Sequence, residues 1–211
     1  MLRLILATRN THKTREFVEL LGDEFTIRDL SELRLPQVNE TGKSFEENAV
    51  LKAVGVSQQL VGTSRCDVRM AQRAVPTFVI ADDSGLEVDS LGGAPGIFSA
   101  RYAGANATDQ TNVAQLLSAL SVCSDRSARF RCVIALAQDG KLLGTFTGVL
   151  EGTISDASRG SGGFGYDPLF RPTGFDQTFA EMPLNLKNQI SHRAKAAAAL
   201  REFLRTVKAG R

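Results

Sequence analysis

The sequence has few cysteines and prolines, no long apolar run and no excess of charge of one sign. Its three cysteines include no C-x-x-C pair, which argues against a disulfide framework and fits reduced thiols in a cytosol. The apolar residues 2–7 are too few for a signal peptide or a spanning helix. The 25 basic and 23 acidic residues form no dense basic block, which argues against nucleic acid as a partner. We therefore expect a cytoplasmic protein that binds neither membrane nor nucleic acid.

The composition, with 43% hydrophobic and 23% charged residues, is that of an ordinary globular protein. The chain contains no internal repeat and no low-complexity linker. A chain of 211 residues can bury one core, with two lobes at most, but it is short for two independent domains. The sequence therefore predicts a single domain over residues 1–211.

Two adjacent carboxylates, Asp82 and Asp83, follow an apolar run that we predict to be a strand over residues 77–81. Neighbouring side chains on a strand point to opposite faces, so the two carboxylates should have different surroundings and different roles. Gly85 is expected to let the backbone turn away just after Ser84. Alternatively, these residues form no more than a turn, since Asp, Ser and Gly all favour turns.

A polar loop, residues 8–13, lies between a predicted buried strand over residues 2–7 and a helix capped by Asn10 or Thr11. The backbone N–H groups at a helix N-terminus attract anions, and Lys13 adds a positive charge. The loop is therefore a candidate phosphate site. The alternative is an ordinary strand–helix connection with a solvated lysine.

An isolated carboxylate, Glu40, lies in the loop before a second helix. That helix begins at a capping box, in which Ser44 is the cap and Glu46 and Glu47 occupy the first turn. Because Glu40 has no such structural role, it is the better candidate ligand.

Further elements follow from apolar periodicity and turn residues. Thr108 is predicted to cap a helix, and the dipeptide Asp139-Gly140 predicts a hairpin between strands over residues 128–137 and 141–150. Residues 61–76 are expected to be an irregular, solvated insertion, although Arg65, Arg69 and Arg73, spaced four apart, could instead form a short basic helix.

A glycine-rich stretch over residues 159–168 contains a formal G-x-G-x-x-G. No helix can begin promptly after it, at Tyr166-Asp167-Pro168, so we reject a dinucleotide site. Phe164 and Tyr166 could stack on a base, and Asp167 could accept a hydrogen bond from one. The alternative is an edge-strand bulge packed by the two aromatic rings.

The last helix is predicted to begin after Ser191, which places His192 and Arg193 in its first turn. Cations at a helix N-terminus cost a few tenths to about 1 kcal/mol, which a bound anion or polar ligand would offset. Alternatively, a surface helix simply tolerates such a pair.

Five segments in this order and spacing resemble the inosine triphosphate pyrophosphatase family, and the resemblance covers nearly the whole chain. They are Ala7-Thr8-x-Asn10-x-x-Lys13, Glu40-x-Gly42-x-Ser44-Phe45-x-Glu47-Asn48-Ala49, Ala81-Asp82-Asp83-Ser84-Gly85, Gly163-Phe164-Gly165-Tyr166-Asp167-Pro168, and Ile190-Ser191-His192-Arg193. The resemblance implies an α/β fold with a long mixed central sheet and flanking helices, in two lobes around a nucleotide cleft. It also implies a homodimer and magnesium-dependent hydrolysis of ITP, dITP and XTP to the monophosphate and pyrophosphate, which cleanses the nucleotide pool.

The resemblance also implies a role for each matching residue. Glu40 and Asp83 would bind Mg²⁺, with Mn²⁺ or Co²⁺ as open alternatives, and Asp83 would be the catalytic base with Ser84 beside it. The substrate-binding residues would be Thr8, Arg9, Asn10, Thr11, His12, Lys13 and Ser84 together with Phe164, Gly165, Tyr166, Asp167, Lys187, His192 and Arg193. Of these, Lys187 or Arg193 is expected to read the 6-keto oxygen of the purine.

Two departures and two other functions stay open at this point. Arg9 stands where many members have glycine, and residues 61–76 are longer than the family's connection. A related pyrophosphatase of the septum-inhibitor type, acting on modified pyrimidines, is disfavoured by the Ser-His-Arg and Phe-Gly-Tyr-Asp segments. A nucleotide-sensing module without hydrolysis is disfavoured by the presence of Glu40 and Asp83.

Overall fold

A computed structural model of the chain describes residues 2–31, 33, 35–66 and 77–209. Its strands are β1 (Leu2–Leu6), β2 (Phe25–Asp29), β3 (Phe78–Val88), β4 (Ser127–Gln138), β5 (Lys141–Ile154) and β6 (Phe170–Pro172). Its helices are α1 (Thr11–Leu21), α2 (Phe45–Cys66), α3 (Asp109–Ala119), α4 (Leu184–Ile190) and α5 (His192–Ala209). The predicted α/β class is confirmed.

The six strands form one mixed sheet in the order β2-β1-β3-β4-β5-β6. Strand β1 pairs in parallel with both β2 and β3, whereas β5 and β6 are antiparallel. The turn between β4 and β5 has φ of 52° at Asp139 and 75° at Gly140. Positive φ at both central residues is what a tight hairpin turn requires, so the predicted hairpin is confirmed.

Strand β3 corrects the expectation that the backbone turns at Gly85. The strand continues without a break from Phe78 to Val88, so the acidic pair lies in its middle rather than at its end. Its residues are nearly all buried, and it lies between β1 and β4 in the sheet. Pairing on both sides outweighs the preference of Asp, Ser and Gly for turns.

The expectation of an irregular segment over residues 61–76 is also wrong in part. Helix α2 extends to Cys66, so the first six residues of that segment are helical. Residues 67–76 lie outside the described residues.

The predicted helix caps are confirmed. The Asn10 side chain accepts hydrogen bonds from the N–H groups of His12 and Lys13 at the start of α1. Thr108 forms a capping box with Thr111 on α3. The Ser191 hydroxyl accepts from the Ala194 N–H at 3.0 Å, which places the start of α5 at His192 as predicted.

The chain divides into two compact units, each with its own buried side chains. The first comprises Met1–Asp83, Val133–Thr147 and Ala196–Arg211, and the second comprises Ser84–Cys132 and Gly148–Lys195. The first unit buries residues 4–6 of β1 and the start of β3, together with Phe17 and Leu21 of α1.

The core of the second unit is built around three aromatic rings. Phe130 meets Phe170 edge to face, with ring centroids 4.6 Å apart, and stacks against Phe179 at 5.9 Å. Phe170 and Phe179 are also in contact, at 5.3 Å. Edge-to-face and offset arrangements are the favoured ones for such pairs.

Within the described ranges, no helix combines the length and apolarity needed to cross a bilayer.

We expect Phe170→Ala to lower the free energy of unfolding by about 3–5 kcal/mol, because it empties the centre of this aromatic cluster. Urea denaturation, monitored by far-ultraviolet circular dichroism, measures the change in the free energy of unfolding. Val122→Ala is the control, since Val122 is 93% exposed and its truncation should change stability by less than about 0.5 kcal/mol. Equal losses in the two variants would contradict the assignment of Phe170 to the core.

Candidate functional site

The loop between β1 and α1 is ordered by its own side chains. The Thr8 hydroxyl accepts from the Asn10 N–H at 3.1 Å, and Asn10 in turn takes the N–H groups of His12 and Lys13 at 2.9 and 3.2 Å. Two of the donors at the helix N-terminus are thus used by the cap. An anion bound here therefore relies more on the Lys13 ammonium than the sequence alone suggested.

Arg9 is exposed, and its guanidinium donates to the Leu35 carbonyl at 2.7 Å. The Arg9 side chain therefore ties the β1–α1 loop to the segment that leads to Glu40. Thr11 and His12 are exposed in the first turn of α1.

Asp82 and Asp83 have different partners, as their alternation along β3 predicts. Asp82 is buried and accepts from the Lys13 ammonium at 2.8 Å. Asp83, also buried, accepts from the Asn48 side-chain amide at 3.1 Å. The prediction of two distinct environments is confirmed.

The ammonium group of Lys52 lies close to both predicted metal ligands. It donates to the Asp82 carbonyl at 2.6 Å and lies 3.6 Å from the Glu40 carboxylate and 3.9 Å from the Asp83 carboxylate. Burial raises the pKa of Asp83, and the charge on Lys52 opposes that rise. The structure therefore brings Glu40 and Asp83 together around one positive charge.

These two carboxylates fit a magnesium ion that is shared with a substrate. In the part of the chain that the structure describes, no group of three or more His, Cys, Asp or Glu side chains could by itself hold a metal. Magnesium is usually held in proteins by one or two carboxylates together with water and substrate phosphates, rather than by an all-protein cage. Glu40 and Asp83 supply that partial set of oxygen ligands.

The sequence reasoning assigned no role to two residues of this cluster, Asn48 and Lys52. They lie one turn apart on α2, beside the apolar stripe that includes Ala49 and Ala53. Polar residues at that spacing, next to a buried stripe and just after a capping box, are the signal that could have identified them.

In the second unit, Asp167 and Lys187 form a buried ion pair. The two charged atoms are 2.7 Å apart, and only 4–5% of either side chain is exposed. The same Asp167 oxygen accepts from the Phe164 N–H at 2.9 Å. Asp167 is thus occupied by protein donors, and its expected hydrogen bond to a base has to share that oxygen or use the other one.

The ring of Phe164 is half-buried, and two cationic side chains lie over it. The Lys187 ammonium is 5.1 Å from the ring centroid, and the Arg193 guanidinium is 5.6 Å from it. Arg193 also donates to the Ser84 hydroxyl at 2.8 Å. Ser84, Phe164, Lys187 and Arg193 are therefore neighbours, as expected for parts of one binding surface.

Tyr166 and His192 are both buried. The Tyr166 hydroxyl donates to the Ser99 carbonyl at 2.9 Å, and burial raises its pKa above the ordinary range. The His192 ring stacks on Phe130 at 4.7 Å. Gly165 is held from outside the loop, since its N–H donates to Asp109 at 2.7 Å. These contacts hold the loop and the start of α5, and the substrate-binding roles of Tyr166 and His192 stay predictions.

Comparison with known proteins tests the resemblance read from the motifs. The model of the Ham1 family matches residues 4–203. A dITP/XTP pyrophosphatase of Geobacter sulfurreducens is 46% identical over 208 residues, covering 97% of each chain, and one of Bacillus subtilis is 42% identical, covering 97% of this chain and 98% of its own. A solved Ham1 protein of Coxiella burnetii superposes with a TM-score of 0.83 at 40% identity, over 98% of this chain and all of its own. The matches run through both carboxylate-bearing and aromatic segments, and the chain accordingly belongs to the Ham1 family.

Proposed function

We propose that this protein is a nucleoside triphosphate pyrophosphatase that hydrolyses ITP, dITP and XTP to the nucleoside monophosphate and pyrophosphate. The relatives named dITP/XTP pyrophosphatase support the substrate class. The observation that carries the chemistry is the cluster in which Asp83 and Glu40 lie around the Lys52 ammonium. Water is added across the bond between the α and β phosphates, and such a reaction needs charge neutralisation and an oriented water.

Asp83 is proposed as the base that accepts the proton of the attacking water. Burial raises the pKa of this carboxyl, and a higher pKa makes its ionised form a better proton acceptor. The Asn48 amide and the Lys52 ammonium both favour the ionised form, which is the one that can act.

Glu40 and Asp83 would hold a divalent cation, Mg²⁺ with Mn²⁺ as an alternative. When bound, such an ion neutralises phosphate charge as a Lewis acid. Lys13, paired with Asp82, and Lys52, beside Glu40 and Asp83, would bind phosphate oxygens through charge-assisted hydrogen bonds. The loop over residues 8–13 would hold the rest of the triphosphate.

The second unit is proposed to bind the purine and to select it. The half-buried Phe164 ring supplies aromatic surface, and Lys187 and Arg193, which lie over that ring, supply the donors. An ammonium has three N–H groups, so a hydrogen bond from Lys187 to a 6-keto oxygen is compatible with its bond to Asp167. ATP presents a 6-amino donor instead and would leave a buried donor unpaired, which costs about 1–3 kcal/mol. The homodimer and the cytoplasmic location stay predictions.

Substrate selection can be measured as pyrophosphate release from ITP and XTP beside ATP and GTP, with and without Mg²⁺. We expect metal-dependent release from ITP and XTP to be at least ~100-fold faster, a difference of about 2.7 kcal/mol in transition-state free energy. Equal rates on all four nucleotides would agree with the proposed hydrolysis but contradict the proposed selectivity. Tight binding of ITP without any product would instead indicate a nucleotide-sensing module.

Asp83→Asn should reduce the turnover of ITP by at least ~100-fold, because it removes both a metal ligand and the proposed base. Steady-state kinetics with saturating Mg²⁺ measures the loss. Asp125→Asn is the matched control: the Asp125 carboxylate accepts from the Ser127 N–H at 2.9 Å, and an asparagine oxygen can also accept this bond. Full activity of Asp83→Asn would show that the catalytic assignment is wrong.

A further inference from the structure

The side chain of Asn48 joins the two elements that carry the proposed metal ligands. Only 1% of Asn48 is exposed, and both ends of its amide are used. The nitrogen donates to the Asp83 carboxylate at 3.1 Å, and the oxygen accepts from the Gly42 N–H at 2.9 Å. Gly42 lies two residues after Glu40, so one buried group contacts strand β3 at Asp83 and the loop that bears Glu40.

The backbone at Gly42 packs directly on the first turn of α2. A Cβ atom at this position would lie 2.7 Å from the Asn48 side-chain oxygen and 2.7 Å from Cβ of Glu47, closer than Cβ atoms approach other atoms in proteins. The absence of a side chain at Gly42 is therefore what allows its N–H to approach Asn48.

The other side of the Glu40 loop also rests on α2. Val38 packs against Gly55, where an added Cβ would lie 3.0 Å from a Val38 methyl group. Asn48, Lys52 and Gly55 follow one another at i, i+4 and i+7, so they share one face of the helix. That face supports the loop on both sides of Glu40 and places the Lys52 ammonium between the two supports.

We propose that Asn48 is a positioning residue of the pyrophosphatase reaction, which fixes the Asp83 carboxylate relative to the Glu40 loop so that both can bind one divalent cation. This inference rests on the proposed function. The chemistry of the amide explains the residue type, because a donor for a carboxylate and an acceptor for a backbone N–H are needed on one short, uncharged side chain. Aspartate would keep the acceptor but lose the donor, and alanine would lose both.

A purely structural role is the competing explanation, and helix α2 offers a matched control for it. Ser57 is also buried on α2, and its hydroxyl accepts from the backbone N–H of Gly140 at 2.9 Å. Ser57→Ala therefore removes the partner of a backbone N–H, as Asn48→Ala does at Gly42, without touching a residue that we place in the site.

The experiment compares Asn48→Ala, Asn48→Asp and Ser57→Ala with the wild-type protein. Turnover of ITP is measured over a range of Mg²⁺ and nucleotide concentrations, and binding of Mn²⁺ alone is measured by electron paramagnetic resonance of the free ion. We expect both Asn48 variants to lose about 10- to 100-fold in kcat, the range for a hydrogen bond to a charged group, with nucleotide KM changed by less than about threefold. Asn48→Ala should also bind Mn²⁺ about tenfold more weakly, and Ser57→Ala should keep wild-type values of both.

Three results would overturn the positioning role. One is an Asn48→Ala variant with the kcat and Mn²⁺ affinity of Ser57→Ala. Another is a fully active Asn48→Asp, since it keeps the bond to Gly42 and would show that this loop contact alone matters. The third is a loss confined to KM. If Asn48→Ala does not fold, the isosteric Asn48→Asp decides the question alone. If the wild-type protein releases no pyrophosphate, the proposed function is contradicted. The Mn²⁺ titration would still test whether Asn48 holds Asp83 and Glu40 in place for one cation.

Discussion

The constraint on which the first unit depends is the burial of two consecutive carboxylates in the middle of a strand. A buried charge is costly unless it is paired and hydrogen-bonded. Asp82 accepts a hydrogen bond from the Lys13 ammonium on α1. Asp83 accepts one from the Asn48 amide on α2, and the Lys52 ammonium lies nearby. The helices that flank β3 thus bring their polar side chains to these carboxylates, and the groups suited to metal and phosphate gather at one place.

In the second unit, too, a buried charge is paired and hydrogen-bonded. The ion pair of Asp167 with Lys187 is buried, and it fixes both the backbone of Phe164 and the cation over its ring. Arg193, held by Ser84, places a second cation over that ring. The glycine-rich loop is thus held by hydrogen bonds and an ion pair around one half-buried aromatic ring. Donors that are already held in place by protein partners lose little freedom on binding, which is what the proposed recognition of a base requires.

Sequence reasoning succeeded where the signal was local. The caps at Asn10, Thr108 and Ser191 and the turn at Asp139-Gly140 depend on residues within four positions of one another, and all are confirmed. The continuity of β3 was missed because pairing with β1 and β4, distant in sequence, decides it. Lys52 was missed for the same reason. Its ammonium group interacts with Glu40 and Asp83, which lie 12 and 31 residues away in the sequence.

The lysines beside the acidic cluster have a consequence for how the protein responds to its surroundings. Three carboxylates, those of Glu40, Asp82 and Asp83, face two ammonium groups, which leaves a single formal negative charge. A cluster so nearly neutral does not need an ion to hold it together, unlike structural metal sites that unfold when stripped. Removal of the proposed divalent cation would then silence the protein without unfolding it, and activity would return as soon as the ion did, with no new synthesis or refolding.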